Sequence, residues 1–478
     1  MGEPLRDYNR QLVMARDVSG NPFAFVPLLS RLYRLEHHDI SIAELTERSL
    51  FVTDVSAVPT IEEEFNRELD ISGIESLQRK HTPGVALVVT QNCNLGCSYC
   101  LAKQGTFGLP ITNMKSGQVL RRLESLFEME PNIDFIKFFG GEPTLRMDLI
   151  EEVCDFVTNK LGKRVHFALT TNGTLKASKH IELWKRYHVS VSVSVDGPPH
   201  IHDAVRIRKD GSGSHEQALE YCDYLRQKDF PFAVVGVFDE RHITSGFTYL
   251  DTIKYLNKIS PLVKVQFVEA LGDAVNNGGI GTYTISDVKK QVESAVDAIM
   301  ELISNTFVDW SLGSDKWLYD NNILRFVHGI VKEKARPYSH ACTASQLTTV
   351  FPSGDLTACY TFSERSDLRY GDESTSKISL SEKKQQFRDH HNWKTLSNSG
   401  VSVPWYRGVV GDICVADMMN SPYEGLRQSD FYKAFQETAV LRILQHLPMF
   451  AKHPLKQARL LHAIEKHRTL TGEYSRKP

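Results

Sequence analysis

No stretch of the 478 residues approaches the roughly 18–20 consecutive apolar positions a membrane-spanning helix needs. The start, MGEPLRDYNRQLVMARD, lacks the apolar core of a secretory signal. Gly2 follows Met1, yet Arg6 stands where an N-myristoylation signal wants Ser or Thr. A charge excess is missing too: 56 Lys and Arg face 58 Asp and Glu, a net charge of -2, which speaks against nucleic-acid binding through bulk positive charge. There are no internal repeats and no low-complexity segments. With 41% hydrophobic, 24% charged and 10% aromatic residues, the composition is that of a globular protein and excludes long disorder. The length predicts two to four domains. We expect a soluble cytoplasmic protein with neither a membrane nor a nucleic-acid partner.

Cysteine is scarce, and its placement is uneven. Eight are far too few for a secreted disulfide framework in a chain this long. Cys93, Cys97 and Cys100 lie within eight residues, and Cys342, Cys359 and Cys414 fall in the last third. That clustering points to metal. Cys154 and Cys222 sit on apolar faces of helical patterns and read as core residues.

Hydrophobic periodicity divides the chain. Residues 1–82 form a mixed N-terminal α+β segment, with possible strands in FAFVPLLSRLYRLEH and SLFVTDV and a short helix in IEEEFNREL. From 83 to 310 strands alternate with amphipathic helices. The strands are Val85–Thr90, Ile133–Phe139, Val165–Leu169, Val189–Val195, Phe232–Phe238 and Val263–Val268. Six βα units in a row predict a parallel sheet with helices outside, an open partial (β/α)6 barrel of the α/β class with its chemistry at the C-terminal strand ends. Residues 311–335 read as a linker or helix and 336–428 as an irregular, turn-rich domain with few long helices. Residues 429–478 return to helix. There Lys452, Lys456, Arg459, Lys466 and Arg468 read as a solvated face.

The first cysteine group, TQNCNLGCSYC, follows the first strand with spacing CxxxCxxC. Three thiolates on one tight loop can hold three irons of a 4Fe–4S cluster and leave the fourth open. Cys97 and Cys100 alone form a CxxC, a weaker zinc or redox signal, and zinc would want a fourth ligand nearby. The second strand ends FFGGEPTL, the third TTNG, and the fourth SVSVDGPPHIHDAVR.

These segments resemble the radical S-adenosylmethionine (SAM) enzymes over residues 85–270. Tyr99 stands at the aromatic position of their CxxxCxϕC signature. The resemblance implies a SAM-binding 4Fe–4S cluster on Cys93, Cys97 and Cys100. It also implies that Gly140, Gly141, Glu142 and Pro143, the GGEP motif, receive the amino group of SAM. Asn172 and Ser194 would contact SAM, and Arg206 would pair with its carboxylate. The plainer account of Arg206 is a surface ion pair, and Asp196 reads equally as a loop cap or as a residue with a cofactor role. The implied chemistry is reductive cleavage of SAM to methionine and a 5′-deoxyadenosyl radical that abstracts hydrogen. An electron donor such as flavodoxin or ferredoxin would feed the cluster.

The segment CTASQLTTVFPSGDLTACYTF reads C–x11–G–x4–C and resembles the opening of a SPASM domain, the auxiliary-cluster domain of many such enzymes. Laid on the next SPASM motif, VSVPWYRGVVGDIC places Val401, Pro404 and Val410 where three Cys would be, and only Cys414 survives. Every ligand of the second auxiliary cluster is missing and three of the first remain. We expect one auxiliary 4Fe–4S cluster on Cys342, Cys359 and Cys414 in a reduced, twitch-like domain. His340, a vacant site or substrate would complete it, although His340 also reads as an exposed loop residue.

The SPASM-type enzymes mostly modify peptides. The sulfatase-maturing members carry Asp directly after the second Cys of the C…G–x4–C element. Tyr360 holds that position here, which disfavours that activity. FVPLLSRLYRLEHHD and LFVTDVSAVPTIEEEF loosely resemble the leader-peptide-binding segment of peptide maturases. A simple N-terminal cap explains them equally well. The expected function is a maturase that crosslinks or oxidises residues of a ribosomally synthesised precursor peptide (RiPP). A small-molecule twitch-type dehydrogenase is the alternative, and a non-catalytic iron–sulfur protein the least consistent with GGEP and Arg206.

Overall fold

A computed structural model describes residues 13–26, 31–34, 83–100, 102–267, 284–309, 311, 314–332, 347–362, 368–372, 374–390, 406, 430–451 and 453–474. The GGEP, TNG and DGPPH segments all fall within it. SLFVTDV, IEEEFNREL, His340, Cys342, Cys414 and Lys452 lie outside the described residues.

Six strands run in sequence order side by side and all parallel: β4 (Gly84–Thr90), β5 (Phe135–Gly140), β6 (His166–Thr171), β7 (Ser190–Ser194), β8 (Phe232–Phe238) and β9 (Leu262–Phe267). Each begins and ends within two residues of its expected bounds. Helices α1 (Ser116–Met129), α2 (Met147–Asp155), α3 (Ile181–Arg186), α4 (His215–Gln227), α5 (Tyr249–Asn257) and α6 (Ile285–Asn305) belong to the successive βα units. The outer rows of the sheet are large and apolar: Ile136, Phe138, Phe167, Leu169, Val191, Val193, Val234, Val263 and Val265 are all buried in one continuous core with the helices. Each such side chain contributes roughly 2 kcal/mol. Cys154 and Cys222 are fully buried in that core, as their helical spacing predicts.

The C-terminal third departs from expectation in one instructive way. Its turn-rich segment does not stand apart from the barrel. Strand β10 (Leu347–Val350) pairs parallel with β4, Leu347 opposite Gly84. Then β11 (Leu356–Thr357) and β12 (Arg369–Gly371) follow antiparallel, giving a nine-stranded sheet ordered β12-β11-β10-β4-β5-β6-β7-β8-β9. β4 is therefore central, which accounts for its seven consecutive buried residues.

Helix α8 (Lys377–His390), which the turn signals concealed, is tied to the barrel by Lys384, whose amine reaches both carboxylate oxygens of Glu130 at 2.7 and 2.6 Å. Helix α7 (Asn321–Lys332) falls in the expected linker, and α9 (Asp430–Ala451) and α10 (Pro454–Tyr474) form the helical end. α9 lies along α6: Arg442 forks onto Asp297 at 2.6 and 2.9 Å, and His446 meets the same carboxylate at 2.7 Å. The basic residues of α10 divide. Arg468 is exposed beside Glu465, but Arg459 donates to the Ser304 carbonyl at 2.6 Å and lies over the Phe307 ring. The described N-terminal strands, β1 (Val13–Arg16), β2 (Pro22–Val26) and β3 (Arg31–Arg34), form a small antiparallel sheet.

Candidate active site

The loop carrying Cys93, Cys97 and Cys100 leaves the C-terminal end of β4 and is braced from three sides. Gln91 is buried; its amide nitrogen donates to the Thr106 carbonyl at 2.9 Å, and its amide oxygen accepts from the Thr112 backbone at 3.2 Å. On another side the loop pairs with residues 205–208: Gly96 N–H donates to the Ile207 carbonyl at 2.8 Å, and Ser98 N–H to the Val205 carbonyl at 3.3 Å. The third side is the GG turn after β5. Gly141 N–H donates to the Thr90 carbonyl and Glu142 N–H to the Asn92 carbonyl, at 2.9 and 3.0 Å.

A Cβ on Gly140 would lie 2.2 Å from the Thr90 carbonyl oxygen, and one on Gly141 2.2 Å from that of Asn92. Gly140 also has φ +142°. The glycines are thus demanded by the close approach of the cysteine loop itself.

Glu142 is buried, and its carboxylate is occupied. One oxygen accepts from Thr144 N–H (3.1 Å), the Thr144 hydroxyl (2.6 Å) and the Thr171 hydroxyl (2.8 Å), and the other accepts from Asn172 N–H at 2.7 Å. Burial raises its pKa while these donors hold it back. Three of the four donors crowd one oxygen, and the other, with a single donor, keeps room for a further one. Glu142 thus braces the ends of β5 and β6, and backbone carbonyls at this corner are further acceptors. Pro143 begins the helical turn Pro143–Arg146 that Glu142 caps.

Asn172 is buried; its amide donates to Asn94 at 2.9 Å and stands 4.0 Å from the Cys93 sulfur. Ser194, also buried, ends β7. The next turn holds Asp196, which the sequence left between a loop cap and a cofactor role. Asp196 is the hub of a buried network: one oxygen accepts from the Tyr99 hydroxyl (2.5 Å) and from Arg206 Nε (2.8 Å), and the other from Val237 N–H (3.0 Å). Arg206 and Arg241 both lie over the Tyr99 ring, at 5.4 and 5.6 Å, and Arg241 is held by Asp239. Arg206 is neither a surface ion pair nor unengaged, since its side chain is 11% exposed against 1% for Asp196. Burial opposes the charge on Asp196, but Arg206 beside it holds its carboxyl below the usual range.

The three thiols fit a thiolate-held cluster by donor chemistry and by spacing. Cys93 feels the charges of Cys97 and Cys100. Among the described residues no three Cys, His, Asp or Glu side chains close around a single ion. Burial pushes the free Cys93 thiol up to about 12 and Cys97 to about 11, with Arg206 pulling Cys97 back. Ligation therefore releases protons.

Of the second cysteine group, Cys359 is described. It is half-buried, accepts from the Thr361 hydroxyl at 3.2 Å and feels Lys137 of β5. The next residue, Tyr360, stacks on Phe139 of β5 with centroids 4.0 Å apart. Phe107 and Phe351 complete an aromatic cluster with Val88. The Cys359 segment is thereby held against the inner row of the barrel sheet, two strands from the one that launches the Cys93 loop.

Known proteins agree with this picture. The Radical SAM superfamily profile matches residues 87–246. GTP 3′,8-cyclase 2 of Mycobacterium tuberculosis is 34% identical over 283 residues, 59% of this chain and 75% of that protein. The cysteine-type anaerobic sulfatase-maturating enzyme of Clostridium novyi is 26% identical over 247 residues, 48% of this chain and 62% of the relative. The chain spans only 37–62% of the length of several curated relatives it matches. In fold, it is similar to native anSMEcpe with bound AdoMet, at TM-score 0.59 and 20% identity over 76% of this chain and 98% of that one. The same protein has been solved with AdoMet and the Cp18Cys peptide. No helix among the described residues is long and apolar enough to cross a membrane. With a nucleotide cyclase aligned over three quarters of its length and the profile covering the CxxxCxxC, GGEP, TNG and DGPPH segments, the chain belongs to the radical SAM superfamily, enzymes that use a 4Fe–4S cluster and SAM.

Proposed function

We propose that the chain modifies or crosslinks residues of a ribosomally synthesised precursor peptide. The observation that carries this reading is the docking of the Cys359 segment against the inner face of the barrel sheet, through β10 on β4 and Tyr360 on Phe139. A radical enzyme that oxidises a peptide needs an electron acceptor within reach of the bound substrate, and Cys359 stands beside the inner face of the sheet. Cys93, Cys97 and Cys100 would hold the SAM-binding cluster, and Cys342, Cys359 and Cys414 one auxiliary cluster. When bound and reduced, the first supplies the electron that splits SAM into methionine and a 5′-deoxyadenosyl radical.

The protein's own residues orient and exclude. Glu142 fixes the GGEP turn so that its backbone can meet the amino group of SAM. Asn172, Ser194 and the Arg206–Asp196–Tyr99 network line the next two strand ends, with Arg206 positioned for the SAM carboxylate. The Phe139–Tyr360 stack closes one wall to water. A shared fold with anSMEcpe, solved with a peptide, supports a peptide substrate. Tyr360 in place of Asp, and the missing cysteines, separate this chain from sulfatase maturation.

A second reading, a small-molecule substrate, is favoured by the 34% identity to GTP 3′,8-cyclase 2. The test is incubation of anaerobic, reduced protein and SAM with the peptide encoded by the neighbouring reading frame and, separately, with GTP. Loss of two hydrogens from the peptide, with 5′-deoxyadenosine formed, is expected. Consumption of GTP with an unchanged peptide would overturn the proposal in favour of the second reading.

A further inference from the structure

The inner rows of the barrel sheet are built from short side chains. Ala86, Lys137 and Ala168 stand in register across β4, β5 and β6. Ala168 is opposite Ser190, and Ser192 is opposite Ala233. Ala168, Ser192 and Ala233 are half-buried, so the inner face is less filled there, whereas the outer rows are filled with Phe, Ile and Val. Two long polar side chains rise from this floor. Lys137 lies between two alanines with its amine 5.0 Å from the centre of the Phe139 ring. Lys264 of β9 is opposite Val235.

Both lysines are half-buried on the inner face of the sheet. Lys137 feels the charges of Lys264 and Cys359, and Lys264 that of Arg325; no carboxylate among the described residues pairs with either amine. Asp320 acts on Lys264 from a distance, but its oxygens accept from Val265, Asn322 and Ile323 N–H at 3.1, 2.8 and 3.1 Å. Two like charges in one cavity repel, and a bound anion removes that repulsion while regaining the charge-assisted hydrogen bonds lost to desolvation.

We propose that Lys137 and Lys264 together seat a carboxylate of the substrate, an Asp or Glu side chain of the peptide, on the floor of the barrel. The proposal rests on the peptide reading above and adds a sequence requirement to it. A phosphate would meet the same two amines by the same charge-assisted chemistry, and the experiment separates the two anions.

The experiment is affinity selection of a randomised, acetylated decapeptide-amide library on the anaerobic, cluster-loaded protein with SAM. The retained pool is expected to be enriched in Asp and Glu at least threefold over the input. K137M and K264M, shown folded by circular dichroism and iron content, should each bring that enrichment to background, and K137R and K264R should keep most of it. A retained pool without acidic bias, or a bias that survives both Met variants, overturns the seat and leaves the peptide reading standing. Tight binding of tripolyphosphate together with no retained peptide overturns both.

Discussion

The two cysteine-bearing regions are held in different ways. The Cys93–Cys100 loop hangs from the ends of parallel strands and is locked by Gln91, by backbone pairing with residues 205–208 and by the GG turn, all from its own chain. The Cys359 segment rests on short strands, β11 of two residues and β12 of three, and on aromatic contacts through Tyr360. The first is held on every side by the fold around it. The second has little regular structure to spare, so metal and fold should be coupled there, as in other small metal-held modules.

The sharpest way to break that contrast is to strip each region of its thiolates. The triple variant Cys93→Ala, Cys97→Ala, Cys100→Ala should keep its fold and about four irons of the expected total of about eight, yet form no 5′-deoxyadenosine. Residual 5′-deoxyadenosine measured by liquid chromatography would sink the assignment of the first loop, and about twelve irons in the native protein would mean a second auxiliary cluster. Cys359→Ala should do the reverse: 5′-deoxyadenosine still forms and modified peptide does not. Gel filtration and circular dichroism must show a folded variant, since melting of the segment is the other expected consequence of a coupled site.

Next in size is the Asp196 hub. Asp196→Ala leaves Arg206 buried without its counter-charge and should cost about 3 kcal/mol in urea unfolding, whereas Tyr99→Phe removes one donor and should cost about 1 kcal/mol. Equal effects would mean that the network is not centred on the carboxylate.

The smallest effect is the pH dependence of the barrel itself. His180 and His202 are neutral in the folded protein, pushed down to about 4 chiefly by burial. The unfolded chain, with ordinary histidines near 6.5, binds more protons between those values. Stability should therefore be full above about pH 6.5 and decline as pH falls toward 4, partly offset by Asp320, which burial raises to about 6. A urea midpoint that stays flat between pH 7 and 5 would contradict the buried, neutral histidines.

The barrel was legible because period-2 and period-3.6 patterns alternate cleanly from Val85 onward, and a parallel sheet buries both strand faces. The first cysteine loop and GGEP were legible because they occupy strand ends, where sequence spacing maps onto space. Three things were not. Asp196 joins Tyr99, Arg206 and Val237, which lie 97, 10 and 41 residues away, and no local pattern carries such pairings. β10 was hidden because LTTV is four residues long amid turn signals, and only its partner β4 gives it a reason to extend. Lys137 was overlooked although a lysine inside FIKFFG, a central strand otherwise apolar, is itself a sign of a hollow on that side.

The pairing of β10 with β4 has a consequence for how the chain is made. Residue 347 closes against residue 84, about 260 residues earlier, so the edge of the strand that launches the cysteine loop stays open through most of translation. Every other strand of the parallel sheet meets its neighbour within one βα unit. An apolar, unpaired edge of that kind is a template for association between nascent chains. The C-terminal segment thus serves the growing polypeptide as a late-arriving seal.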